Sequence, residues 1–242
     1  MNKWLGIAAL LVTASAAGQD FSAERPSFSS SPLALATGYW QLEGGFQYFK
    51  ASDDVDGFSL PNGLLRYGAG ERAEIQLGWT GYARFDTSGG DVDGFTDASL
   101  GVKWQLSEDN ATTPLALFAG VSLPVGGDEL SSDELDPAVG LFWGHNGRVS
   151  LFGTVLLSES ASQTTIGNAV GINLPLERRC NHCSAYLEYV GIHAEGSGPQ
   201  HSLNGGYAWM TRPNLQFDVN AGFGLNDRAA DGYFGFGAAY RF

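Results

Sequence analysis

Residues Leu215 to Leu225 read LQFDVNAGFGL, and the character of their side chains alternates with a period of two. Every second position is apolar, namely Leu215, Phe217, Val219, Ala221, Phe223 and Leu225. The positions between them are polar or small, namely Gln216, Asp218, Asn220, Gly222 and Gly224. Because successive side chains of a strand point to opposite faces, this stretch predicts a β-strand with one apolar and one polar face.

The same alternation recurs along the chain and predicts twelve strands, of which the segment 58–67 alternates least regularly. The predicted strands are residues 38–49, 58–67, 73–85, 95–106, 115–124, 137–143, 148–157, 164–174, 184–193, 202–210, 215–225 and 233–242. Most have nearly the ~9–11 residues that a tilted strand needs to cross a bilayer. Short turns alternate with longer acidic loops, which is typical of a transmembrane β-barrel of the outer-membrane type.

Composition excludes several other classes of protein. The 242 residues include 34 glycines, 12% aromatic and 16% charged residues, and the formal net charge is −13. The chain is too aromatic for a disordered protein and too acidic for a protein that binds nucleic acid by neutralising phosphates. Glycine at this frequency argues against a helical bundle, because each glycine costs roughly 1 kcal/mol in a helix relative to alanine.

The first residues have the features of a secretory signal peptide. Lys3 precedes a short apolar run from Trp4 to Val12, and small residues at 15–17 provide a cleavage site. We therefore predict a signal peptide at 1–17 and a barrel at 37–242. Residues 18–36, rich in Ser and Pro, are predicted to be either a periplasmic segment or a partial plug of the barrel.

A soluble β-sandwich would also show alternation, but three features favour the barrel. The apolar faces continue through nearly all the strands, whereas a sandwich has polar edge strands. Trp and Tyr residues lie near strand ends, as in the aromatic belts of membrane barrels. The polar faces are rich in small and amide residues and contain no large apolar core. The chain also ends with Tyr240 and Phe242 on one face, which we interpret as a signal for the barrel assembly machinery.

Charged residues on the polar faces are predicted to line a lumen, either as pore-lining groups or as an ion-pair network that braces neighbouring strands. These candidates are Glu43, Glu74, Arg84, Asp97, Lys103, Glu188, Asp218 and Arg241. Arg66 joins them if the irregular strand keeps its alternation. The longer loops form an acidic outer mouth, which either repels anions or is simply solvated and bridged to lipopolysaccharide. Its residues are Asp53, Asp54, Asp56, Asp91, Asp93, Asp128, Glu129, Asp133 and Glu134.

Two motifs suggest other chemistry. Cys180 and Cys183 flank a turn and are predicted to form a disulfide, as expected in an oxidising compartment. His201 is followed directly by Ser202, so a strand would place them on opposite faces, and they could not act together as base and nucleophile. We predict no catalytic residues, no metal site and no cofactor.

Several stretches, spread in order over nearly the whole chain after the signal peptide, resemble the outer-membrane family named for the MetA pathway of phenol degradation. They are Arg25–Pro32, Gly38–Gly45, Leu60–Gly68, Arg72–Ile75, Asp97–Trp104, Leu123–Gly126, Gly206–Tyr207, Asn214–Asp218 and Gly237–Phe242. The resemblance implies a small channel that helps hydrophobic or aromatic compounds to cross the outer membrane. It implies no catalytic residues.

The sequence thus predicts a monomeric, twelve-stranded barrel in the outer membrane of a Gram-negative bacterium, acting in passive uptake of small molecules. The expected partners are outer-membrane lipids, lipopolysaccharide, the barrel assembly machinery and an unidentified cargo, with no nucleic acid. Two alternatives stay open, namely a lipid-modifying hydrolase and a structural barrel without a transport role. The sequence does not decide whether the barrel has an open pore. The interior of an eight-stranded barrel is nearly filled by side chains, whereas a sixteen-stranded barrel has an aqueous pore, and twelve strands lie between these cases.

Overall fold

The structure, a computed structural model, describes residues 21–176, 180 and 182–242. The predicted signal peptide lies outside the described residues. The strands are β1 Trp40–Ser52, β2 Val55–Gly70, β3 Ala73–Thr87, β4 Val92–Phe95, β5 Ala98–Gln105, β6 Leu115–Leu123, β7 Asp136–His145, β8 Ser150–Ser160, β9 Gln163–Pro175, β10 Cys183–Ala194, β11 Gln200–Arg212, β12 Leu215–Gly224 and β13 Gly232–Arg241. Within the described ranges, no helix is long and apolar enough to cross a membrane.

The strands close into an antiparallel barrel. Strands β1 to β3 pair in chain order, β3 pairs with β5, each strand from β5 to β12 pairs with the next, and β1 pairs with β13 to complete the ring. Strands β4 and β5 both pair with β3 and follow each other along it, so together they occupy one position and the barrel has twelve. This confirms the predicted fold. We call the end where β1 begins and β13 ends the terminal end, and the opposite end the distal end.

The two faces of the wall differ as the alternation predicts. Large apolar side chains on the outside are exposed, for example Leu100, Val102 and Trp104 on β5. The side chains that point inward include buried polar and charged ones, for example Lys103 and Gln105 on the same strand, together with some apolar ones such as Phe142. An apolar exterior around a polar interior is the arrangement of a barrel that crosses a bilayer.

The alternation changes phase in the distal halves of β2 and β3. Asn62 has a φ of 45° and Gly81 a φ of 91°, and the pairing of β1 with β2 shifts register beside Asn62. Trp79 and Tyr82 therefore both face outward, although residues three positions apart lie on opposite faces of a regular strand. Arg84 follows two residues after Tyr82 and shares its outer face. The prediction that Arg84 lines the lumen is therefore wrong, because a strict period of two does not account for the irregular backbone at Gly81.

Candidate functional site

The lumen contains the polypeptide segment that precedes β1. Backbone N–H groups between residues 24 and 35 donate hydrogen bonds to inward-facing side chains of the wall, and their acceptors are Glu43, Glu74, Gln105, Thr154 and Glu188. These acceptors lie on β1, β3, β5, β8 and β10, so the segment is attached to strands around much of the barrel. We call residues 21–36 the luminal segment.

A cluster of five charged side chains holds the luminal segment to one side of the wall. The Arg66 guanidinium lies 3.0 Å from Glu43 Oε1 and 2.8 Å from Glu74 Oε2. Lys103 Nζ lies 3.1 Å from Glu74 Oε1 and also pairs with Glu24 of the luminal segment. The four wall side chains of the cluster are at most 1% exposed. Their two cations balance two wall carboxylates, and Glu24 adds a third carboxylate.

Arg25 binds a neighbouring part of the wall, formed by β1, β13 and β12. Its Nη2 lies 3.1 Å from Asp218 Oδ1, and the Asp218 side chain has no exposure to solvent. The guanidinium rests on two glycines, because a Cβ at Gly45 or Gly237 would fall within 2.6 Å of an Arg25 nitrogen. Residues 25 and 218 are far apart in sequence, so the closed barrel and the folded luminal segment together create this ion pair.

Glu188 forms the third attachment. Its carboxylate accepts hydrogen bonds of 2.9 Å from the backbone N–H groups of both Phe28 and Ser29. Asn204 Nδ2 donates a further bond of 3.1 Å to the same carboxylate. These bonds account for the burial of an acidic side chain that has no cation within 4 Å in the described part of the chain.

Two cavities lie on either side of the luminal segment. The distal one measures about 430 Å³ and is lined by Phe28, Val190, Ile192 and Tyr233 together with polar side chains. The other measures about 330 Å³, lies toward the terminal end and is lined by the luminal segment, including Ser29 and Ser30, and by wall and turn residues such as Asn146 and Phe152. Pro26 and Ser27 line both cavities, so the segment separates them.

The remaining predicted lumen residues lie near the ends of the barrel. Asp97 follows β4 at the distal end, where its carboxylate accepts hydrogen bonds from the backbone N–H groups of Gly126 and Ser132. It also lines a polar cavity of about 400 Å³ with Thr80, Ser99 and Ser122. Arg241 lies at the terminal end, its guanidinium carbon 5.3 Å from the ring centre of Phe21 and 5.8 Å from that of Tyr39.

The acidic residues predicted at the outer mouth lie at the distal end, and several pair with neighbours on the outer face. The Lys50 ammonium donates a hydrogen bond to Asp53 and lowers the pKa of that carboxyl. The other contacts are Tyr48 with Asp56, Tyr82 with Asp93, Arg84 with Asp86 and Asp91, and Ser162 with Glu134. These pairs lie on strand ends and loops and do not reach the luminal segment.

Cys180 and Cys183 form a disulfide in the turn between β9 and β10. His201 lies beside Tyr189, with 2.6 Å between its Nδ1 and the Tyr189 hydroxyl, whereas Ser202 lines the distal cavity on the other face of the wall. Tyr240 and Phe242 stack on one face at the end of the chain, with ring centres 5.8 Å apart.

The two residues of the luminal segment that pair with charges of the wall were not predicted from the sequence. Glu24 and Arg25 lie in a stretch without periodicity, and nothing near them in sequence marks their partners. The feature of the sequence that could have indicated these contacts is a pair of acidic residues on the wall. Glu188 and Asp218 face inward on strands that carry no other inward charge, so they require a donor from outside their strands.

The fold and the occupied lumen define an outer-membrane-type, channel-like β-barrel. A family model described as "Putative MetA-pathway of phenol degradation" matches residues 23–242, and the chain belongs to that family.

Solved structures of outer-membrane barrels are similar in fold. The COG4313 outer membrane channel from Pseudomonas putida F1 aligns with a TM-score of 0.65 and 14% identity, covering 88% of this chain and 98% of that one. The NanC porin aligns with a TM-score of 0.57 and 6% identity, covering 83% and 98%. No curated protein matches the chain.

Proposed function

We propose that this protein is an outer-membrane channel for the passive uptake of small molecules, and that the luminal segment closes its axial path. One observation carries the proposal. Residues 24–35 cross the lumen and separate two cavities, and the attachments to Glu43, Glu74, Glu188 and Asp218 are hydrogen bonds and ion pairs that displacement of the segment can exchange for water.

Several features support a transport role. The wall is apolar outside and polar inside, which fits a barrel in the outer membrane around a water-accessible interior. Family membership and the similarity in fold to an outer membrane channel and a porin agree with this assignment. The family description makes hydrophobic or aromatic compounds candidate cargo.

We propose no enzymatic role. A hydrolase on this barrel needs a nucleophile, a base and an acid on one face at one depth. On the outer face, His201 has the Tyr189 hydroxyl as its neighbour, and Ser202 lies on the other side of the wall. The buried carboxylates of the lumen are engaged by backbone N–H groups and cations.

Single-channel conductance in a planar bilayer tests the proposal. The mature protein in KCl should show small or rare current steps, and a variant lacking residues 18–35 should show larger, frequent ones. Folding of the variant is checked by its heat-dependent mobility in electrophoresis, which reports an intact barrel. Full-length Glu188→Ala, which removes one attachment of the segment, should fall between the two. Absence of current from all three folded proteins would contradict an axial channel.

A further inference from the structure

We propose that the lumen wall at Asp218 is a binding site for an organic cation, and that Arg25 occupies this site in the present structure. The cation belongs to cargo that carries an ammonium or amidinium group on an apolar body. The inference rests on the proposed uptake function, since such cargo reaches Asp218 through the lumen.

The site is shaped for a flat cation. Asp218 supplies a carboxylate with no exposure to solvent, and Arg25 is 17% exposed. Gly45 and Gly237 provide a flat floor, because a Cβ on either glycine would collide with the guanidinium nitrogens. A cationic group of similar width fits in the same space once Arg25 leaves it.

Arg25 makes only some of the hydrogen bonds that the Asp218 carboxylate can accept. The pair is made through a single hydrogen bond from Nη2 to Oδ1, whereas guanidinium and carboxylate groups commonly form two. Arg25 Nε and Asp218 Oδ2 are buried, and no hydrogen-bond partner for either lies within the described chain. An amidinium that donates to both Asp218 oxygens therefore gains a bond that Arg25 does not make.

The charge balance of the wall favours a cation at the same place. On β1 to β5, Glu43 and Glu74 have Arg66 and Lys103 as partners on the wall itself. Asp218 obtains its cation from the luminal segment, and Glu188 obtains two of its donors there. When the segment leaves, β10 and β12 expose two carboxylates that have no cation partner among the described wall residues, and unpaired charges in a buried setting are costly.

The distal cavity provides room for the body of such a ligand. Asn220, two residues from Asp218 on β12, lines it together with Asn204, the partner of Glu188. Val190, Ile192 and Tyr233 supply apolar and aromatic surface from the wall, and Phe28 adds to it while the luminal segment is in place. A benzene ring bearing an amidinium group matches this combination of surfaces.

Calorimetric titration of benzamidinium into full-length protein in detergent tests the site without requiring conductance. Arg25→Ala should bind benzamidinium at least tenfold more tightly than the unmodified protein, because the built-in occupant is gone. The double variant Arg25→Ala/Asp218→Asn should lose that gain in affinity. Benzyl alcohol and benzoate should bind Arg25→Ala at least tenfold more weakly than benzamidinium binds the same variant. Asp97→Asn in the Arg25→Ala background is the matched control and should leave the affinity unchanged.

Equal affinity of Arg25→Ala for benzamidinium and benzyl alcohol would overturn the cation site, and so would full retention of binding in a folded Asp218→Asn double variant. Equal binding to the unmodified protein and Arg25→Ala would show that Arg25 does not occupy the site. Binding without conductance in the bilayer experiment contradicts only the channel, and conductance without binding contradicts only the cation site.

Discussion

The ring of Phe28 lies directly over the backbone of Gly167 on β9, and a Cβ added to this glycine would fall 3.1 Å from Phe28 Cζ. The contact fixes the luminal segment next to the residues that Glu188 binds, since Phe28 and Ser29 donate to that carboxylate. The absence of a side chain at Gly167 thus allows the Phe28 ring to pack on β9 and helps to position the luminal segment.

Gly167→Val should therefore displace the luminal segment. Two further methyl groups beyond Cβ cannot fit beneath the ring, so Phe28 must move and the bonds to Glu188 must weaken. Unitary conductance of the full-length variant should rise toward that of the protein lacking residues 18–35. Gly205→Val is the matched control, because Gly205 faces outward, away from the luminal segment, and its nearest neighbour at 3.3 Å is a similarly close contact. A conductance equal to that of the control would contradict the role of this contact.

Arg66 should be among the residues that matter most for stability. Its side chain is 1% exposed and contacts Glu24, Glu43 and Glu74. Arg66→Met leaves these carboxylates buried with Lys103 as the one remaining cation of the cluster. Removing one partner from a buried ion-pair network costs about 3–5 kcal/mol. The free energy of unfolding, measured by tryptophan fluorescence in denaturant with detergent micelles, should fall by this amount.

Arg72→Met provides the comparison for Arg66. Arg72 pairs with Glu108 in an exposed position at the terminal end, and exposed pairs contribute little because water competes for both charges. The unfolding midpoint of this variant should match that of the unmodified protein. A similar loss in both variants would mean that the buried cluster has no special role.

Asp97 should control the order of the loop between β6 and β7. Its two carboxylate oxygens accept backbone hydrogen bonds from Gly126 and Ser132, and so hold the loop at both points. Asp97→Ala removes both acceptors, and limited proteolysis should then cut residues 126–135 at least several times faster. Asp128→Ala, an exposed change in the same loop, should leave the cleavage rate unaltered. Unchanged cleavage of the Asp97 variant would show that other contacts hold the loop.

The strands could be predicted from the sequence because each one faces lipid on one side and the lumen on the other. An apolar face toward lipid and a polar face toward the lumen impose a period of two, and this period is visible in residues 215–225 and 95–106. Inward charges such as Glu74 and Lys103 follow from the same parity, because a charge at membrane depth needs a polar or paired environment.

The faces of β2 and β3 at the distal end could not be predicted in this way. Their phase depends on backbone conformations at Asn62 and Gly81 that alter no residue type in the pattern. The sequence left open whether residues 18–36 lie in the periplasm or plug the barrel, and it did not predict their contacts, because Arg25 and Asp218 meet only after the barrel has closed. Periodicity reports the local environment of a strand, whereas these contacts depend on which distant residues share the lumen.

The disulfide between Cys180 and Cys183 should stabilise its turn without affecting passage through the lumen. It closes a loop of only a few residues, and the chain-entropy relation assigns such a loop about 2 kcal/mol at most. Cys180→Ser/Cys183→Ser should therefore lower the thermal unfolding temperature slightly and leave the unitary conductance unchanged. Reduction of the unmodified protein with a phosphine should have the same effect on unfolding and none on the double variant. A change in conductance on reduction would instead connect this turn to the luminal segment.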